Sequence, residues 1–129
     1  MTSTNADKLD SAIAEAVEAF IKAGDRQDIT LLESVLHPEY RSTINQFMGQ
    51  ENVTVIPREV YLKLVQDGKI GGSPRSYQIV HAASLGHTAQ VQVHMESAQL
   101  VFNNFLSLVQ DTKGKWWLIN DAATAKPKS

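Results

Sequence analysis

The sequence predicts an α+β domain, with helices packed on one face of a curved antiparallel sheet. Three observations predict it. Apolar residues at helical spacing dominate the first half of the chain, four strand-like runs fill most of the second half, and short turn-rich loops join those runs. Strands joined by such short loops must be antiparallel. Helices grouped ahead of a run of strands segregate to one face of the sheet.

The first helix is expected over residues 6–23, where Leu9, Ile13, Ala16, Val17, Phe20 and Ile21 form one stripe. Thr4 or Asn5 can cap its start, and Gly24 suits a left-handed residue just past its end. A second, shorter helix starts from Asp28 as N-cap. It presents Ile29, Leu32, Val35 and Leu36, and stops at His37-Pro38. Tyr40 to Phe47 alternates as a strand. "MGQEN" turns the chain into a short β-branched strand, Val53 to Ile56. Pro57 then fits the first position of a third helix, whose apolar face is Val60, Tyr61, Leu64 and Val65 and whose end is Gly68.

After the loop "KIGGSP" come strands at Arg75–Leu85, Thr88–Ser97, Leu100–Val109 and Trp116–Ala122. The order is α-α-β-β-α-β-β-β-β. Gly86-His87 suits a two-residue hairpin turn. That turn pairs Leu85 with Thr88, His81 with Gln92 and Val80 with Val93. It puts Val80, Ala82, Ala89, Val91, Val93 and Met95 on the face toward the helices. Tyr77, Ile79, His81, Leu85, Gln92, His94 and Glu96 take the other face. On the next strand Phe102, Asn104, Leu106 and Leu108 point inward, and Val101, Asn103, Phe105, Ser107 and Val109 outward. Continuing the alternation puts Trp116, Leu118 and Asn120 inward, and Trp117, Ile119 and Asp121 outward. Both faces of these last strands are largely apolar, which predicts a second subunit on the outer face.

With 129 residues and 43% hydrophobic content the chain has core material for one domain, 1–129, with residues 1–4 and 125–129 expected to fray. A net charge of -2 advertises neither nucleic acid nor an anionic membrane as partner. There is no cysteine, so disulfides, thiolate metal sites and cysteine nucleophiles are excluded. "MTSTNADKLD" has no apolar core of a signal peptide, and no run approaches the roughly 20 apolar residues of a spanning helix. The expected location is the cytoplasm.

The element order resembles the nuclear transport factor 2-like (cystatin-like) fold, a cone of curved sheet wrapped around a long helix. Within that superfamily the chain is similar to the bacterial group known as putative lumazine-binding proteins, close to the SnoaL-like polyketide cyclases. Four stretches carry the likeness: "AVEAFIKAGDRQDITLLESVLHPEY", "IPREVYLKLV", "GHTAQVQV" and "FNNFLSLVQDTKGKWWLIN". The resemblance implies a pocket at the wide end of the cone and a homodimer through the convex face. The Asp usual in the group's "tDyLsL" stretch falls at Asn104 here, an amide in place of a charge. No flavin- or pteridine-binding motif is visible, and no cofactor is expected.

In that pocket, Asn104 and Asn120 share a parity with inward apolar neighbours. A buried amide left unpaired costs about 1–3 kcal/mol, so a pocket with water or ligand, or a local backbone bond, must satisfy them. Tyr40, Ser42 and Tyr61, with Met95, Phe102 and Trp116, complete the candidate lining. Each of these taken singly is more often plain core than pocket lining. His81, His94 and Glu96 share one sheet face, but that face is the outer one and no supporting shell is evident, so no metal site is expected. Acid–base equipment is thin. The leading reading is therefore a binder of a small apolar or aromatic molecule. The alternatives are a SnoaL-like isomerase or cyclase with Asp121, His37 or His94 as base, and a dimeric accessory module with a filled cone.

Overall fold

The computed structural model describes residues 9–128. The caps expected at Thr4 or Asn5 lie outside them. Three helices and six strands follow in the expected order.

Helix α1 spans Ser11–Arg26 and buries Ile13, Val17, Phe20 and Ile21, a single stripe at helical spacing. Asp10 caps it, accepting a hydrogen bond from the Ala12 N–H at 2.8 Å. The helix does not end at Gly24 as expected. Gly24 is buried within it, and Gln27 takes the left-handed position at φ 54°. The reason is packing. The segment after the third helix crosses α1 at Gly24, where the Gly72 N–H donates to the Gly24 carbonyl at 3.0 Å. Gln27 is held in place by its own side chain, whose amide donates to the Val65 carbonyl at 3.0 Å.

Helix α2 is Ile29–Val35, capped by Asp28 accepting from the Leu31 N–H. Strand β1, Leu36–Asn45, starts at once, four residues earlier than Tyr40. Pro38 is tolerated because the β1 ladder to its neighbour is irregular between Leu36 and Arg41. Strand β2 is Val53–Pro57, and helix α3 is Arg58–Gln66. Pro57 stands one position before the helix, as its N-cap. The Arg58 side chain donates to the carbonyls of Leu36 and Glu33, tying α3 to the end of α2.

Strands β3 (Ser76–Leu85), β4 (Thr88–Glu96), β5 (Leu100–Gln110) and β6 (Trp116–Pro127) complete one sheet of order β2-β1-β6-β5-β4-β3. All neighbours are antiparallel except β1 and β6, which run parallel. Strand β6 is longer than its sequence suggests. Residues expected to fray, Ala125 to Pro127, pair with Phe102 to Leu100. The β5–β6 loop is set by Asp111, whose carboxylate accepts from the Lys113 and Lys115 N–H groups and from the Trp117 indole, each at 2.9 Å. Those bonds, the indole first, hold its pKa below the ordinary value.

Two bulges change the facing that strict alternation predicts. The Leu85–Thr88 and His81–Gln92 pairs occur as expected, but Ile79 then pairs with Val93, and Val80 is the extra residue. Val80 is 50% exposed, not inward. Ile79 packs against the core, and Tyr77 stands opposite Met95. The second irregularity is on β6. Leu108 pairs with Leu118, but Ser107 pairs with Asn120, so Ile119 is extra. One inserted residue reverses the facing of everything beyond it. Asp121 therefore pairs with inward Leu106 and is buried, while Asn120 goes outward with Ser107.

The core lies between α1, α2 and the concave sheet face. Val17, Phe20, Leu32 and Val35 from the helical side meet Leu36, Val91, Val93, Leu106, Leu108 and Leu118 of the sheet. Among the described residues no helix is long and apolar enough to cross a membrane.

Candidate ligand-binding site

At one end of this core the side chains do not meet, and a cavity of about 400 Å³ remains. Two helices, two loop segments, three strands and Phe47 of the turn after β1 bound it. Helix α1 supplies Phe20 and Gly24, and α3 supplies Tyr61. The segment Lys69–Arg75 forms one lip, and the turn Ser97–Leu100 the other. The Ser97 hydroxyl fixes that turn by accepting from the Gln99 and Leu100 N–H groups. The floor is sheet: Ser42 and Ile44 of β1, Phe102 and Asn104 of β5, Asp121 and Ala123 of β6. The lining is mostly apolar, with a few convergent polar groups, which is the general character of a small-molecule site.

The polar centre is a buried pair. Asn104 Nδ2 donates to Asp121 Oδ1 at 2.7 Å. Both residues are about 4% exposed. Burial pushes the Asp121 carboxyl up to about 6, opposed by the Asn104 hydrogen bond and by the Arg75 charge. Asn104 Oδ1 and the Tyr40 hydroxyl are buried and make no hydrogen bond. Burial, then the Asp121 charge, push the Tyr61 hydroxyl upward, so it stays protonated and remains a donor. The same two causes raise Tyr40. Phe20, Tyr40 and Tyr61 form an aromatic cluster with ring centroids 5.3–6.4 Å apart. Arg75 is committed at the lip. It pairs with Asp25 at 2.6 Å, donates to the Ile21 carbonyl at 3.1 Å and lies 5.4 Å over the Phe102 ring.

Of the residues expected to line a pocket, Ser42, Tyr61, Phe102 and Asn104 stand in the cavity wall. Four do not. Tyr40 is fully buried behind the wall, edge-on to Tyr61. Met95 and Trp116 are packed in the core. Asn120 is turned away by the bulge at Ile119. That bulge also brings in Asp121, which strict alternation sends outward. The aromatic–amide pattern "WWLIND" contains no Gly to mark the irregularity. The contributions of Arg75 and of the Ser97–Leu100 turn are also invisible to periodicity, because loops carry them.

The outer-face histidine is occupied. His94 Nε2 contacts Glu96 Oε2 at 2.9 Å and Nδ1 contacts Asn103 Oδ1 at 3.0 Å, while Lys128 pairs with the other Glu96 oxygen. Two acceptors on one ring favour the imidazolium, and the Glu96 bond, then Asn103, raise its pKa. His37 accepts from the Glu39 N–H and packs edge-on to Trp117. Neither histidine belongs to the cavity wall.

Residues 8–122 match the model of the family described as "Putative lumazine-binding". The chain belongs to that family. It also carries the NTF2-like fold. An NTF-2 like protein of unknown function from Silicibacter pomeroyi superposes with a TM-score of 0.74 at 18% identity, covering 92% of this chain and 94% of that one. An NTF2-like protein of unknown function from Shewanella baltica gives 0.77 at 17% identity, covering 92% and 94%. A ketosteroid isomerase-like protein from Erwinia carotovora atroseptica gives 0.70 at 14% identity, covering 92% and 95%. At such identities the likeness is one of fold. No curated protein sequence matches the chain significantly.

Proposed function

We propose that this member of the lumazine-binding family binds a small, mostly apolar, aromatic-sized molecule in the cavity, as a homodimer joined through the outer sheet face. The observation that carries the binding reading is the Asn104–Asp121 pair in the wall of a cavity of about 400 Å³. A folded core gains nothing from a buried carboxylate held by one amide, and burying charge without full compensation costs several kcal/mol. A ligand that uses the pair gives a reason to retain it. Native mass spectrometry of the protein purified without additives tests this, together with calorimetric titration of lumazine, the molecule in the family's description. A bound mass lost on denaturation, or saturable lumazine binding, is expected. A bare mass, with no binding of lumazine or of a naphthalene-sized probe at millimolar concentration, overturns the reading.

One observation favours a second reading, proton transfer of the SnoaL-like isomerase or cyclase kind. A carboxylate raised to about 6 and a protonated tyrosine hydroxyl in the wall of the same cavity supply a base and a hydrogen-bond donor. Asp121 is then the base, since His37 and His94 stand outside the cavity wall. Loss of turnover in Asp121→Asn with binding retained distinguishes this reading from simple binding. An accessory module without a ligand is supported less well, because Met95 and Trp116, two of the three side chains that could plug the cavity, pack elsewhere.

A further inference from the structure

The polar end of the cavity restricts the ligand further, if the binding reading holds. Asp121 is in the wall, buried, and among the described residues its carboxylate accepts one hydrogen bond, from Asn104. An amide donor offsets only part of a carboxylate's charge. The cation nearest in chemistry, Arg75, is already spent on Asp25 and on the Ile21 carbonyl. Asn104 adds a second buried acceptor, Oδ1, with no partner of its own. Two acceptor groups on the cavity floor are therefore left under-partnered. Around them stand the rings of Phe20, Tyr61 and Phe102, with Arg75 already over one face of Phe102 and Phe20 stacked on Tyr61. Aromatic faces are attractive to cations, more so when water is excluded.

We propose that the cavity takes an organic cation: a ligand with a flat apolar body and a protonated nitrogen at its inner end, paired with Asp121 between the aromatic walls. An N–H⁺ group answers both deficits at once, since it neutralises the carboxylate and carries donors. The groups that face Asp121 are Asn104 from β5, Arg75 ahead of β3, Tyr40 from β1 and Tyr61 from α3. The tyrosines are neutral donors, and Arg75, though paired with Asp25, still lowers the Asp121 pKa from a distance. Lys69 at the lip is exposed, and salt screens it.

A series of one body and three charges tests this: 2-naphthylmethylamine, 2-naphthylmethanol and 2-naphthoate, titrated calorimetrically at pH 7.5. The amine is expected to bind at least tenfold tighter than the alcohol, with the carboxylate weakest. In Asp121→Asn, checked for folding by circular dichroism, the amine should fall to the level of the alcohol. Glu96→Gln, which removes a carboxylate from the outer face, should keep the preference. Amine affinity should weaken as pH falls from 7.5 to 5 while alcohol affinity stays level, because Asp121 gains its proton near 6. Equal binding of all three probes, or a preference that survives Asp121→Asn, overturns the cation proposal and leaves the cavity as a binding site. Absence of binding by any of the three overturns the cation proposal, and the binding reading falls with it when the purified protein is also a bare mass that does not bind lumazine.

Discussion

Asn104 and Asp121 meet at 2.7 Å across two neighbouring strands that strict alternation would have kept on opposite faces. The extra residue at Ile119 turns Asp121 inward, opposite Leu106, two positions along β5 from Asn104. A single bulge thus creates the only carboxylate in the cavity wall among the described residues. Bulges recur where a strand must re-aim a side chain, and this one converts an amide-only floor into an amide–carboxylate pair.

The pair should tax stability in a pH-dependent way. The folded-state pKa of Asp121 is raised from 3.8 to about 6. A carboxyl so raised binds more protons folded than unfolded, so its effect lowers stability as pH rises from about 4 to about 6. Asp121→Asn removes that slope. It should be more stable than the parent at pH 7.5 by roughly 1–3 kcal/mol, with little difference at pH 4. Urea denaturation of both proteins at the two pH values measures it, and a variant less stable at pH 7.5 contradicts it.

Asn104→Leu should do the reverse. Its amide has the larger effect of the two groups, with Arg75, that oppose the rise in the Asp121 pKa. Without it the carboxyl should titrate higher, followed by carbon NMR of the Asp121 side chain. The stability loss, about 1–3 kcal/mol at pH 7.5, should shrink at pH 4.5, where Asp121 is protonated. A loss independent of pH would point to packing alone.

Much of this was legible in the sequence, and the rest was hidden for identifiable reasons. Asp28 and the apolar stripe of α1 mark helices because caps and 3.6-residue spacing are local signals. The inward set Ala89, Val91, Val93 and Met95 follows from the Gly86 turn and strict alternation. The inward face of β5, Asn104 included, follows the same way. Facing beyond Val80 and Ile119 does not follow, because a bulge leaves no compositional mark when the inserted residue is itself apolar. Gly24 was misread because a glycine near a helix end serves equally as a terminator or as a seat for another segment. Only the tertiary contact with Gly72 decides between them. The last strand residues, Ala125 to Pro127, have weak strand propensity and are held by pairing with β5.

That seat at Gly24 is itself testable. Gly71 has φ 78°, and a Cβ there would press on the Gly24 carbonyl. Gly86 has φ 60° with open space around it. Both Ala variants bear backbone strain, but only Gly71→Ala must also shift the lip of the cavity. We expect Gly71→Ala to lose about 2–4 kcal/mol and Gly86→Ala about 1–2 kcal/mol. Thermal melts rank them, and equal losses would remove the packing role of Gly24.

The outer face carries the dimer proposal. Phe105 is 56% exposed there, beside Gln92 and Ala122 on the neighbouring strands. Phe105→Lys should leave the fold intact and convert a dimer to a monomer in sedimentation velocity. A parent protein that sediments as a monomer at tens of micromolar contradicts the dimer outright.

The most direct measurement is a crystal structure of protein purified without added ligand, inspected for density inside the cavity. Density in contact with Asn104 or Asp121, between Phe20, Tyr61 and Phe102, is the predicted result. A cavity closed by side chains, with Asp121 turned outward and Asn120 in its place, would contradict both the binding role and the bulge on which it depends.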